Sequence, residues 1–250
     1  MDFLSLKDIS ERHLEFINPT SREKLMRAGR VAGLYAGQRV IDFGCGFGGA
    51  LSLWAQEFGI SGFGIDVRPF AIERARARTT ERGLSNQLEF VCASAADFPI
   101  TPGSFDAAAC IGATFAWPDM LPGALHAMQD AVRPGGSMII GEVYWRDPAL
   151  VPPDVLHRER SIGPEPRIYE QIRAAGCDVI YALHSNQDEW DAYYAEDWRG
   201  LADWLAENPG HPDYAEVHQH LRDGQDEYAA YGRQHIGWAL YVVRLMRQER

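Results

Sequence analysis

Val40-Ile41-Asp42-Phe43-Gly44-Cys45-Gly46-Phe47-Gly48-Gly49 decides how this 250-residue chain is read. The short apolar run Arg39-Val40-Ile41-Asp42-Phe43 reads as a buried strand, and the glycines that follow end it abruptly. Glycine lets the backbone turn tightly and lets a ligand approach main-chain atoms. Beyond the turn, Leu51, Trp54, Ala55 and Phe58 share one face of a helix starting at Gly49. The N-terminus of that helix offers N–H donors and a positive dipole end to an anionic group. A second short strand, residues 62–66, ends on Asp66, the position at which a carboxylate meets ribose hydroxyls.

The same alternation continues outward. Pro69 suits the first turn of a helix that stops near Gly83. Residues 88–92 and 105–111 read as strands three and four. Asp119 is placed to cap a helix carrying Leu121, Leu125, Met128 and Val132. Pro134-Gly135-Gly136 breaks the chain before a fifth strand, residues 137–142. Upstream, Thr20 and Glu23 form a capping box for a helix running to about Leu34. Downstream, residues 165–175 read as a helix, and 177–183 and 237–245 as strands six and seven. Strands alternating with helices imply an α/β fold, a parallel sheet covered on both faces.

Between the last two strands lies a long insertion, residues 186–235. Trp190, Tyr193, Tyr194, Trp198, Leu201, Trp204 and Leu205 fall at helical spacing, and Asn208-Pro209-Gly210 ends that helix. Tyr214, Val217, Leu221, Tyr228 and Tyr231 suggest a second helix. The chain thus divides into an N-terminal helical cap (1–35), a cofactor-binding core (36–185), a helical insertion or lid (186–235) and a final core strand (236–250).

Composition narrows the function classes. A net charge of −11 argues against a nucleic-acid groove, which needs local positive charge. The insertion carries twelve acidic residues against three arginines, most of that excess. With 46% hydrophobic residues the chain builds a full core. The cysteines Cys45, Cys92, Cys110 and Cys177 lack metal-ligand spacing and read as small buried hydrophobes near strands. No apolar run reaches the length of a bilayer span, and charges throughout residues 1–13 do not suit a secretory signal. These features predict a cytoplasmic protein in contact with neither membrane nor nucleic acid.

Gly44-x-Gly46-x-x-Gly49 also fits a dinucleotide-binding fingerprint. Asp42 argues against it, because a carboxylate beneath the loop repels a pyrophosphate. S-adenosylmethionine carries no phosphate, and its ammonium suits that carboxylate. Residues 38–145 resemble a class I S-adenosylmethionine-dependent methyltransferase of the small-molecule, UbiE-like (type 11) group. Asp42-x-Gly44-x-Gly46-x-Gly48 resembles its first motif, and Gly64-Ile65-Asp66 the acidic end of its second strand. Phe105-Asp106 and Arg133-Pro134-Gly135-Gly136 resemble the entries to its fourth and fifth strands. Gly112-Ala113-Thr114 and Gly141-Glu142-x-Tyr144-Trp145 resemble a bacterial subgroup.

The resemblance implies a Rossmann-like, seven-stranded sheet in the order 3-2-1-4-5-7-6, the last strand antiparallel. It implies S-adenosylmethionine as cofactor, held by Asp42, Gly44, Cys45, Gly46, Asp66, Val67, Ser94, Ala95, Ile111 and Gly112. Ser94 stands where the family often has an acidic residue against adenine, and its hydroxyl retains hydrogen-bonding capacity.

On the acceptor side, Glu142 and Tyr144 follow strand five at its ligand-binding end, and His13 offers an imidazole as a base. These three are the candidate catalytic residues; no metal set is evident. The expected activity is methyl transfer to an O or N atom of a small molecule, by a monomer or homodimer. A cofactor-binding regulator without turnover and a dinucleotide-dependent oxidoreductase are the alternatives.

Overall fold

The computed structural model describes residues 1–245. Seven strands form one sheet: β1 (Arg39–Phe43), β2 (Ser61–Asp66), β3 (Leu88–Cys92), β4 (Phe105–Ile111), β5 (Val132–Trp145), β6 (Cys177–His184) and β7 (Ile236–Leu245). Their spatial order is β3-β2-β1-β4-β5-β7-β6, the order the resemblance implies. All pairings are parallel except those of β7 with β5 and β6.

The strands are apolar on both sides because helices cover both sheet faces. On one face, Leu25 and Ala28 of α2 (Arg22–Ala32), Leu51 and Trp54 of α3 (Gly49–Phe58), and Ile72 and Ala75 of α4 (Pro69–Glu81) pack over Val40, Ala107, Ile139 and Val242. Trp54 donates its indole N–H to the Leu25 carbonyl at 2.9 Å, so this fully buried side chain leaves no unpaired donor. On the other face, Leu125 and Met128 of α5 (Leu121–Ala131) and Ile168 and Ile172 of α7 (Glu165–Ala174) cover Ile41, Ala108, Met138 and Tyr241. Between α5 and α7 runs the proline-rich link, with the short helix α6 (Pro153–Arg158).

Outside this sandwich, α1 (Phe3–Ser10) and a 3-10 turn at Glu11–His13 lie against the insertion, which folds as α8 (Gln187–Glu207) and α9 (Tyr214–Glu227). Leu6 of α1, Leu201 and Leu205 of α8, and Val217 of α9 form a separate small core. Gly200 permits this approach: a side chain there would strike the carbonyls of Ile9 and Ser10. The break at Asn208-Pro209-Gly210 falls as read from the sequence. Past α9 the chain makes a π-helical turn, Tyr228–Gly232, and a short helical turn into β7.

Several local expectations need correction. Ser21, not Thr20, caps α2, accepting from the Lys24 N–H; the Thr20 hydroxyl instead accepts from the Trp238 indole at 2.8 Å. Asp119 does not cap α5, which starts at Leu121 behind Met120, whose φ is 60°. β5 does not begin at residue 137. It runs through Pro134-Gly135-Gly136, absorbing them in a register shift against β4, and continues to Trp145 because β7 pairs with it throughout. Cys92, at the end of β3, is exposed, whereas the other three cysteines are buried. Residues 246–250 of the expected final strand lie outside the described residues.

Candidate active site

Parallel register brings the C-terminal ends of β1, β2 and β4 together, with Asp42 beside Gly64 on one side and Ala109 on the other. Strand order reverses between β1 and β4, and a crevice opens where the two following loops diverge. The first cavity there has a volume of about 510 Å³. Asp42, Gly44, Cys45, Gly46, Asp66, Val67, Ser94, Ala95, Ile111 and Gly112 all border it.

The glycine loop is held by its own backbone. Gly44 and Cys45 both donate to the Ile65 carbonyl, at 2.8 and 2.9 Å, and Gly48 donates to Cys45. Gly46 donates to Asp66 Oδ2 at 2.8 Å. Four N–H groups of the loop are therefore already satisfied within the protein, and fewer are free for an anion than the sequence suggests. Gly44 sits at φ 74°, and a side chain there would collide with Ala113, so the loop requires glycine on both counts.

Asp42 is buried, and its Oδ1 has no hydrogen-bond partner among the described residues. Burial, reinforced by the negative charge of Asp66, pushes its carboxyl up to about 7. Such a carboxylate is costly in an otherwise closed protein, and a cationic ligand group beside it offsets the cost. Asp66 is better satisfied: besides the bond from Gly46, its Oδ1 accepts from the Arg68 N–H at 3.0 Å.

Residues that sequence reasoning missed close the cavity from above. Lys7 and Glu11 come from the N-terminal segment, Ile17 and Asn18 from the loop before α2, and Tyr193 from α8. Arg68 links this cover to the floor. Its Nη1 lies 2.7 Å from Glu11 and 3.6 Å from Asp8, and its Nε lies 3.5 Å from Asp66. Burial raises the Glu11 carboxyl, and Arg68 counters that rise. The only sequence signal for Arg68 was its place two residues after Asp66; α1 gave none for Lys7.

A second cavity of about 360 Å³ adjoins the first, and Ile17, Asn18, Gly112 and Tyr193 border both. Its walls are aromatic, from β5, β7, α8 and the π-helical turn. Part of the aromatic stripe of the insertion therefore faces this space, whereas Leu201 and Leu205 pack internally.

The three residues singled out for catalysis border neither cavity. Glu142 accepts from the Thr114 hydroxyl at 2.7 Å and from the Val143 N–H; burial raises its carboxyl, and those two bonds lower it. Tyr144 packs edge-on against His184 within the core of the second face, and burial pushes its phenol up to about 12. His13 Nε2 lies 2.8 Å from Asp203, tying the 3-10 turn to α8.

Residues 40–136 match the methyltransferase domain family. The chain is 31% identical, over 97% of its length and 99% of the relative's, to the uncharacterized protein YjhP of Escherichia coli K12. Two crystal structures resemble it closely. An S-adenosylmethionine-dependent methyltransferase from Thiobacillus denitrificans, in complex with S-adenosylhomocysteine, is 30% identical and superposes with a TM-score of 0.89 over 98% of this chain and 100% of that one. The chain belongs to the S-adenosylmethionine-dependent methyltransferases. The corresponding enzyme from Geobacter sulfurreducens, in the same kind of complex, is 31% identical with a TM-score of 0.89 over 97% and 98% of the two chains. The likeness extends across the cap and the insertion as well as the core, so both are part of the architecture this methyltransferase shares with those structures. Among the described residues no helix is long and apolar enough to cross a membrane.

Proposed function

We propose that this methyltransferase transfers a methyl group to an O or N atom of a small molecule, binding S-adenosylmethionine in the first cavity and the acceptor in the second. One observation carries the cofactor placement: the unpartnered, buried Asp42 Oδ1 in a cavity whose nearby loop N–H groups are largely engaged elsewhere. That donor set suits an ammonium and does not suit a pyrophosphate. Asp42 would hold the cofactor's amine. Lys7, whose nearest carboxylates are 3.8 and 4.0 Å away, is free to meet its carboxylate. Asp66 retains lone pairs for ribose hydroxyls, and Ser94 and Ala95 border the adenine end.

The bound cofactor supplies an electrophilic methyl on a sulfonium. The protein's own work is to align the acceptor and to exclude water. Segments 1–18 and 187–198 form the cover that does the excluding, with Arg68 joining it to the loop after β2. Glu142, Tyr144 and His13 support this arrangement from outside the cavities. Isothermal titration tests the placement. S-adenosylhomocysteine should bind, NADH and FAD should not, and Asp42→Ala should weaken the nucleoside at least tenfold. Unchanged affinity in Asp42→Ala would remove the basis for the placement.

A further inference from the structure

The geometry points to a neutral, planar nitrogen heteroaromatic as the acceptor, seated in the second cavity and methylated on a ring nitrogen to give an N-methyl cation. This rests on reading the first cavity as the cofactor site. The two spaces meet at Ile17, Asn18, Gly112 and Tyr193, so a molecule in the second reaches the first without crossing protein. The second is walled by Trp145, Trp190, Tyr194, Tyr228, Tyr231 and Trp238. Tyr194 and Tyr228 have ring centroids 4.1 Å apart, and Trp190 lies stacked on Tyr194 with an interplanar angle of 21°. Tyr228 is tilted by 31° to Tyr194, and the six rings together make an aromatic wall, which favours a flat ligand.

Charge then separates the flat candidates. Among the described residues no Lys or Arg lines the second cavity, while Glu159 and Glu227 do. Arg158 pairs with both, at 3.3 and 2.6 Å, leaving an excess of one negative charge. An anionic acceptor would lose its hydration here without gaining a counter-ion. A cationic product gains aromatic faces and a net negative rim. Buried polar atoms are also waiting: the indole nitrogens of Trp145 and Trp190 and the Asn18 side-chain oxygen have no partners among the described residues. They suit a carbonyl or amide substituent on the ring.

None of the four described residues that border both cavities is a carboxylate or an imidazole. Asn18 is neutral, and burial together with the negative charges of Glu11 and Asp197 drives the Tyr193 phenol well above its ordinary value. Glu142 is turned to Thr114 and Val143. An acceptor needing deprotonation would find no proton acceptor there, whereas a pyridine-type nitrogen carries a free lone pair at neutral pH. That pair forms the new N–C bond to the donor methyl as the C–S bond breaks. The C–S electrons remain on sulfur, the sulfonium becomes a neutral thioether, the positive charge moves to the ring, and no proton is released.

The test uses isoquinoline, quinoline and 1-methylbenzimidazole, titrated into protein saturated with S-adenosylhomocysteine and read by tryptophan fluorescence. 1-Naphthoate serves as the anionic counterpart. At least one heteroaromatic should bind at least tenfold more tightly than 1-naphthoate, and with S-adenosylmethionine should yield its N-methyl cation by mass spectrometry. Gly224→Leu adds a side chain toward the second cavity, where a Cβ has its nearest neighbour at an ordinary 3.7 Å from Trp198. It should leave S-adenosylhomocysteine affinity unchanged and weaken the heteroaromatic at least tenfold. If the nucleoside fails to bind wild-type protein, the cofactor reading falls. If the nucleoside binds but no heteroaromatic does, or 1-naphthoate binds as tightly, or Gly224→Leu leaves heteroaromatic affinity unchanged, the acceptor assignment alone is overturned.

Discussion

Asp42 occupies the fourth position of β1, buried between Gly64 and Ala109, with one oxygen unpartnered. Its carboxyl sits near 7, well above the ordinary value of 3.8, first because of burial and then because of Asp66. A folded value above the unfolded one means the native state holds a proton that the unfolded chain releases. The associated stability is fully present below about pH 4 and is lost as pH rises through about 7. Ligand binding has the opposite sense, since an ammonium requires the ionised carboxylate. S-adenosylhomocysteine affinity should therefore rise with pH up to about 7 and level off above it, as calorimetry from pH 5.5 to 8.5 would register. Asp42→Asn should abolish that dependence and weaken binding. It should also stabilise the apoprotein at pH 8 by on the order of 2 kcal/mol in urea denaturation. A variant that loses both binding and stability would mean that Asp42 is structural. Met120 offers a second single-residue test. Its φ of 60° lies in glycine's region, so Met120→Gly should raise stability by about 1 kcal/mol.

Elements differ in how plainly they were written in the sequence. β1, β4 and α3 were read to the residue because each is an apolar run or stripe with glycine close to its ends, and local chemistry decides such boundaries. The start of α5 was misread because Asp119 is a good cap by type, yet Met120 turns the chain before Asp119 can serve. The end of β5 was read three residues short because it is set by β7, nearly a hundred residues later, and no local signal carries a partner strand's length. The first cavity's floor was legible for the same local reason as β1. Its roof was not: Lys7, Ile17 and Tyr193 converge only through tertiary packing of α1 on α8. The catalytic candidates were chosen for reactivity and for position after β5, but the sheet's alternation turns Tyr144 toward the opposite face. Lys7 tests the roof as an element. Lys7→Met should weaken S-adenosylhomocysteine about tenfold with a smaller effect on stability than loss of Arg68, because Lys7 lies 4.0 Å from Glu11 where Arg68 lies 2.7 Å away. Equal affinity would place the ligand's carboxylate elsewhere.

At the scale of the molecule, two segments distant in sequence meet over one site. Residues 1–18 and the insertion are far apart in sequence, yet they share a small core at Leu6, Leu201, Leu205 and Val217. Polar contacts join them as well: an ion pair of Arg12 with Glu207 at 2.7 Å and a hydrogen bond between His13 and Asp203 at 2.8 Å. Arg68 fastens this unit to the sheet through Glu11 on one side and Asp66 on the other. A small core of four buried residues holds less apolar area than the sheet's two faces, so the cover should open at lower free energy than the sandwich. A ligand that touches both floor and cover adds its binding energy to the closed form and suppresses that opening. Hydrogen exchange read by mass spectrometry should therefore show S-adenosylhomocysteine protecting residues 3–18 and 187–198 as well as the loop at 44–49. Arg68→Gln leaves the buried Glu11 without its nearest cation, so exchange across residues 3–18 should quicken severalfold in the apoprotein. The protection on binding should extend less far into that segment. Protection confined to the loops after β1 and β2, with the cover unaffected, would show that the floor binds alone and that residues 1–18 and the insertion play no part in enclosing the ligand.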